Sequence, residues 1–363
     1  MYRRLVPLPV SFLAVSFVVM APPALSPPAS AHAGARTEQA QAGDDGERLL
    51  FNFQDPRIDE SSGLAVSPTH KGIVYTHNDS GDSPRFFAVG MDGRTRATFT
   101  LAGAEARDWE AMEATVDPET GRGVLWFGDT GDNLGTWPDI SVYKVMEPQT
   151  MRDATLQATR YRFQYEDGHS RDAEGLMVHP RTGRLYIVSK EFAGSVYAAP
   201  AKLRTDRVNV LRRVGPAPLM ATDAAYAPDG SSFVIRTYFS ASLYRAPGKL
   251  LAHLDMPPLR QAESITYTRD GTALLTGSEG VSSPVYRVPL PPEARPPAAT
   301  PSATRAASSA ARTARPTPSR AAAATESGQS ADGGVTVPMG LLWIAVAAGA
   351  IGVIGVIAYR TGR

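Results

Sequence analysis

Asp172-Ala173-Glu174-Gly175-Leu176 leads through the turn His179-Pro180-Arg181-Thr182-Gly183 to Val196-Tyr197-Ala198-Ala199, and this order of parts occurs five times in the 363-residue chain. The apolar-aromatic strand returns as Phe86-Phe87-Ala88-Val89, Val142-Tyr143-Lys144-Val145, Leu243-Tyr244-Arg245-Ala246 and Val285-Tyr286-Arg287-Val288. An acid-bearing segment precedes each copy: Asp59-Glu60-Ser61-Ser62-Gly63-Leu64, Asp108-Trp109-Glu110-Ala111-Met112, Thr222-Asp223-Ala224-Ala225 and Ala262-Glu263-Ser264-Ile265. A period of roughly 40–50 residues built from short strands marks a repeat architecture.

Each repeat reads as four strands. In the third they fall at Gly175–His179, Arg184–Ser189, Ser195–Ala199 and Val208–Val214, with Gly and Pro punctuation between the first two. Four antiparallel strands repeated radially are the blades of a β-propeller, so the expected fold is all-β. The last repeat lacks a fourth strand, because a Pro-rich stretch follows Leu290. The segment Arg48–Phe53 has strand character and is expected to complete that blade and hide its edge. Five blades is the expectation, or six if the stretch between Lys144 and Asp172 hides degenerate strands.

The flanks have other jobs. Residues 1–33 follow the order Arg3-Arg4, an apolar run, then Ala31-His32-Ala33, which is the pattern of a secretory signal peptide. A leader (34–47) joins it to the propeller (48–290). Residues 291–337 are rich in Pro, Ala, Ser, Thr and Arg, too polar to offset their ordering entropy, and read as a disordered tether. Residues 338–359 hold an apolar stretch long enough for the roughly 20 residues a transmembrane helix needs. Arg360 and Arg363 in the 360–363 tail favour the cytoplasmic side. The chain is thus expected in the cell membrane, single-pass, with its N-terminal domain extracellular. Ala348 and Gly352 have the small-xxx-small spacing of weak helix pairing, which also occurs in unpaired spans.

Composition excludes several functions. There is no cysteine, so no thiol nucleophile, thiolate metal site or disulfide exists. The 37 basic and 36 acidic residues nearly balance, which offers no basic surface for nucleic acid. No Gly-x-Ser-x-Gly elbow, Gly-x-x-x-x-Gly-Lys loop or His-Glu-x-x-His motif is present.

Strand polarity turns the repeat into a spatial claim. First strands leave one rim and second strands return to it, so their acids should meet at one end of the axis. The expected metal-ligating residues are Glu60, Asp79, Asp108, Glu110, Asp129, Asp132, Asp172, Glu174, Asp223, Glu263 and Glu279. Carboxylates at such density repel unless paired, protonated or metal-bound. Oxygen-rich rings suit Ca²⁺, which takes about six to eight oxygen ligands. Each acid has an architectural alternative: it can hydrogen-bond the backbone of the neighbouring blade. His77, Glu174, Lys190 and Arg236 are the candidate catalytic groups on this rim. Lys190 and Arg236 would either hold an anionic ligand or pair with the acids. Trp109 would either stack on a sugar or pack between blades.

Glu60-Ser61-Ser62-Gly63-Leu64 and Asp172-Ala173-Glu174-Gly175-Leu176 resemble the first-strand signatures of exported phytase-like and gluconolactonase-like propellers. The Pro228-Asp229-Gly230 turn is similar to those of WD-repeat and TolB-like groups. The resemblance covers residues 48–290 and concerns the fold. It implies Ca²⁺ at the channel mouth, at the positions of Glu110, Glu174, Asp223 and Glu263, and hydrolysis of phosphoesters or lactones in some members. The chain departs from those families in its five repeats and in lacking a dense Lys/Arg phosphate cluster. Two functions follow. One is a tethered module binding a metal ion, glycan, small molecule or protein at the acidic mouth. The other is a Ca²⁺-dependent hydrolase using the same funnel.

Overall fold

The computed structural model describes residues 46–296. The 1–33 segment, most of the 34–47 leader, the tether beyond Pro296, the 338–359 segment and the tail lie outside the described residues. Among the described residues no helix is long and apolar enough to cross a membrane. Their regular structure is all β apart from one 3-10 turn, Pro292–Ala294. That turn lies within the stretch expected to be tether. Leu290 is buried and its carbonyl accepts from Arg295 Nε at 2.6 Å, which ties the residues just after the last strand back to it.

The first strand, β1 (Arg48–Asn52), waits for a partner at the far end of the sequence. Antiparallel meanders follow: β2 (Ser61–Val66), β3 (Ile73–Asn78), β4 (Arg85–Gly90) and β5 (Thr95–Ala102); then β6 (Trp109–Val116), β7 (Gly123–Asp129) and β8 (Ile140–Met146). The stretch that could have hidden a sixth repeat holds β9 (Ala154–Gln157) and β10 (Thr159–Tyr165). It builds no meander of its own: β9 adds parallel to β5, and β10 pairs antiparallel with β8 as the fourth strand of the second repeat. The third repeat is β11 (Ala173–Val178), β12 (Leu185–Ser189), β13 (Ser195–Ala198) and β14 (Asn209–Pro216). Parallel pairing of β10 with β14 joins the second and third repeats into one eight-stranded sheet. The fourth repeat is β15 (Ala221–Tyr226), β16 (Phe233–Thr237), β17 (Ser240–Ala246) and β18 (Lys249–Asp255). The last has three strands of its own, β19 (Ser264–Tyr267), β20 (Ala273–Gly277) and β21 (Pro284–Pro289), and β1 pairs antiparallel with β21 to complete it.

The five first strands pack in cyclic order, β2 on β6, β6 on β11, β11 on β15, β15 on β19 and β19 on β2. Five apolar clusters fill the gaps between successive meanders. Phe86 and Phe99 meet Trp109, Phe127 and Tyr143, for example, and Leu275 and Val285 meet Leu64, Val74 and Phe87. First strands are buried on both faces, which explains their continuous apolar and small-residue runs. Outer strands alternate, as β5 and β14 do, because one face meets solvent. Gly175 is required where it stands, since a Cβ there would press on Val188 at 2.8 Å.

Candidate functional site

The site begins with a repeated irregularity. The ladder between first and second strands slips at Ser62, Glu110, Glu174 and Thr222, the same place in four repeats. A β-bulge re-aims the extra side chain. In two repeats that side chain is a hydroxyl that ties to the next inner strand: Ser62 Oγ donates to the Glu110 carbonyl at 3.1 Å, and Thr222 Oγ1 to the Ala262 carbonyl at 3.0 Å. In the other two it is a glutamate, and both glutamates are turned into one acidic cluster, each only 3% exposed.

Glu110 is common to two sets of converging carboxylates, Asp79–Asp108–Glu110 and Glu110–Asp172–Glu174, whose oxygens lie within 4.8 Å of one another in each set. Asp79 Oδ1, Asp172 Oδ1 and Glu174 Oε2 are buried without a hydrogen-bond partner. Gly131 makes room: a Cβ at that position would collide with Glu110 Oε1 and with Asp108 Oδ2. Asn133 Nδ2 donates to Asp108 Oδ2 at 3.1 Å and steadies that carboxylate.

The electrostatics follow from this crowding. Burial, then the adjacent Asp79 carboxylate, push the Asp108 carboxyl up to about 7. Asp172 is pushed up to about 6, mainly by burial. Burial also raises Glu110, helped by the charges of Glu174, Asp79 and Asp108. Lys190 is the counter-charge. Burial works against its ammonium, but its ion pair with Glu174 outweighs that and raises its pKa. A second acidic pair adjoins the cluster: Tyr238 donates its hydroxyl to Glu263 at 3.1 Å and Gln261 donates to Glu279 at 2.8 Å. Burial and Glu263 push Glu279 up to about 9. Glu60 stands exposed at the edge of this group, its carboxyl raised by partial burial and by Asp79.

Other expected ligands have different work. Asp129 accepts from the backbone N–H of Arg107 and of Asp108, both at 2.9 Å, and pairs with the Arg107 guanidinium. Asp132 accepts from Thr136 N at 2.8 Å and Trp137 N at 2.7 Å, closing its loop. Asp223 accepts from Ala224 N and Ile265 N, both at 2.7 Å, so it staples β15 to β19. It sits just past the bulge, and a one-residue slip in a strand reverses a side chain's face.

Two candidate catalytic groups also lie elsewhere. His77 is fully buried among rings, edge-on to Trp109 at 5.6 Å and Phe127 at 6.0 Å, and burial lowers its pKa. Arg236 is fully buried beside Asp223 and donates Nε to the Ala262 carbonyl at 3.2 Å. Burial brings it down to about 10, which leaves it charged at neutral pH. Trp109 packs on Phe127 at 5.0 Å and donates Nε1 to the Glu105 carbonyl, so no face is open to a sugar.

The opposite end of the same five strands holds features that strand polarity alone did not assign. A cavity of about 270 Å³ opens there, lined by residues from every repeat, among them Val66, Val116, Val178, Tyr226 and Tyr267. Glu113 reaches its inner end, only 5% exposed, and accepts from Ala114 N at 3.1 Å and Tyr226 N at 3.0 Å. Burial pushes its carboxyl up to about 8. The signal for Glu113 was an acid inside the otherwise apolar run Ala111-Met112-Glu113-Ala114.

No protein-family model matches the chain, and a search of characterised proteins returns no match.

Proposed function

We propose that the domain is a five-bladed β-propeller and that its acidic mouth is a divalent-cation site through which the protein holds a ligand outside the cell. The signal peptide, tether and 338–359 anchor expected from the sequence would tether it to the membrane. The observation that carries the cation reading is Glu110. One buried carboxylate serves two sets of acids, and Asp79, Asp172 and Glu174 each present an oxygen with no partner. Such oxygens are costly to bury unless neutralised. All-oxygen carboxylate donors favour Ca²⁺ over transition metals. Of the two sets, Asp79–Asp108–Glu110 is the better receptor, because Lys190 already neutralises Glu174.

The hydrolase reading has less support, since His77 and Arg236 are enclosed elsewhere and Glu174 is tied to Lys190. Calcium titration of the full chain, followed by calorimetry and by thermal unfolding, tests the cation reading. Ca²⁺ should raise the unfolding temperature by mass action, EDTA should reverse it, and Glu110→Gln should abolish both. A chain whose unfolding ignores Ca²⁺ and EDTA alike would refute it.

A further inference from the structure

The acidic mouth has an apolar fence. Second-to-third-strand turns lie on the face where the acids gather, and four of the five carry a large apolar side chain in solvent: Leu134 is 85% exposed, Phe192 87%, Phe239 89% and Val281 63%. Single exposed apolar residues are ordinary on a protein surface, but recurrence at one structural position is not. None of these four belongs to the apolar clusters of the fold.

Each tip is covalently close to a group of the mouth. Leu134 follows Asn133, which binds Asp108; Phe192 lies two residues beyond Lys190; Val281 lies two beyond Glu279. Phe239 follows Tyr238, whose hydroxyl binds Glu263 and whose ring lies 5.2 Å from the Lys190 ammonium. The fifth turn, Asp79-Ser80-Gly81-Asp82, is polar and leaves a gap in the fence.

We propose that this face docks a protein segment presenting one Lys or Arg side chain to the acidic mouth, with apolar residues on both sides of it seated on the Phe192, Phe239, Leu134 and Val281 tips. The inference rests on the reading of the mouth as a receptor for positive charge. Charge complementarity selects the partner. Glu174 is 3% exposed yet Oε2 lacks a hydrogen bond, as do Asp79 Oδ1 and Asp172 Oδ1, and an ammonium or guanidinium supplies the missing donors. The same field disfavours anionic lipid. The nearby cations Arg107 and Arg171 are held by Asp129 and Asp167. An anchoring cation surrounded by apolar contacts that exclude water is the arrangement of an interface hot spot.

The test uses the full chain and fluorescein-labelled peptides with a central Arg, Ala or Glu, flanked by Leu and Phe or by Ser, read by anisotropy. Phosphatidylcholine–phosphatidylglycerol vesicles serve as the lipid probe. The Arg-centred, apolar-flanked peptide should bind at least about tenfold more tightly than its Glu-centred or Ser-flanked counterparts. Phe192→Ser and Phe239→Ser should each weaken it by about tenfold while leaving Ca²⁺ affinity unchanged, and excess Ca²⁺ should displace it. Equal binding of all peptides, no peptide binding, or binding of vesicles in place of peptide would overturn the proposal. Ca²⁺ binding without peptide binding removes the docking surface and keeps the metal site. Peptide binding without Ca²⁺ binding does the reverse.

Discussion

Replacing Glu113 by Gln should reverse the sign of its stability effect between pH 4.5 and pH 8. The carboxyl is buried, and its pKa rises from 4.5 to about 8 on folding. Below pH 4.5 it is protonated in both folded and unfolded chains and costs nothing. As pH rises from 4.5 to 8 the unfolded chain ionises first, so the folded state loses stability; above 8 both are ionised and the loss is constant. The full difference is 3.5 pH units at 1.36 kcal/mol each, about 5 kcal/mol, of which about 3 kcal/mol is already lost at pH 7. Gln cannot ionise and escapes this loss, but it gives up one acceptor, and an unmet buried N–H costs about 1–3 kcal/mol. The variant should therefore be less stable than the parent at pH 4.5 and more stable at pH 8. The crossing reflects a slope near 1.4 kcal/mol per pH unit between about 5 and 7.5. Urea unfolding in EDTA at half-unit pH steps measures this directly. Asp223, whose carboxyl is raised by burial and also by the Glu113 charge, is present in both proteins. A stability difference independent of pH from 5 to 8 would show that Glu113 does not titrate as a buried acid and would refute the reasoning.

Gly131→Ala should press a methyl group against Glu110 and Asp108, eliminating Ca²⁺ binding in calorimetry and lowering stability by about 1–3 kcal/mol. Asp223→Ala should cost about 2–4 kcal/mol in urea unfolding, because it leaves the buried N–H groups of Ala224 and Ile265 without an acceptor. An unchanged midpoint would dismiss the staple. Lys190→Met should strand Glu174 without its counter-charge. At pH 8 the unfolding temperature should fall, and it should recover in part with Ca²⁺. Deleting residues 46–52 should expose the edge of β21 and produce aggregates on gel filtration, where a well-behaved monomer would contradict the closing role of β1.

The repeats were legible because burial on both faces forces first strands into continuous apolar, small-residue runs, and tight hairpins force Gly and Pro between first and second strands. The N-terminal strand was legible by elimination, since one repeat lacked a member. The site was half legible. That Asp79, Asp108, Glu110, Asp172 and Glu174 gather at one end follows from strand direction alone. Which acid aims where does not, because a bulge leaves no mark in the sequence. Ser62, Glu110, Glu174 and Thr222 occupy one structural position with three different residue types. Asp223, one residue later, looks like their equivalent and instead takes two backbone N–H groups. His77 misled for a similar reason: its place at a strand end is correct, but it faces the aromatic cluster of the neighbouring repeat.

The pairing of β1 with β21 makes the earliest part of the domain the last to find its place. As the chain emerges from its N-terminus, Arg48–Asn52 appears first and cannot dock until Pro284–Pro289 has followed. Until then β1 has no ladder partner, and the meanders already made form an open stack. The closing strand is therefore a completeness check. A product truncated before Pro284 cannot fasten the clasp, and it presents to proteases and chaperones the edge that the finished molecule conceals.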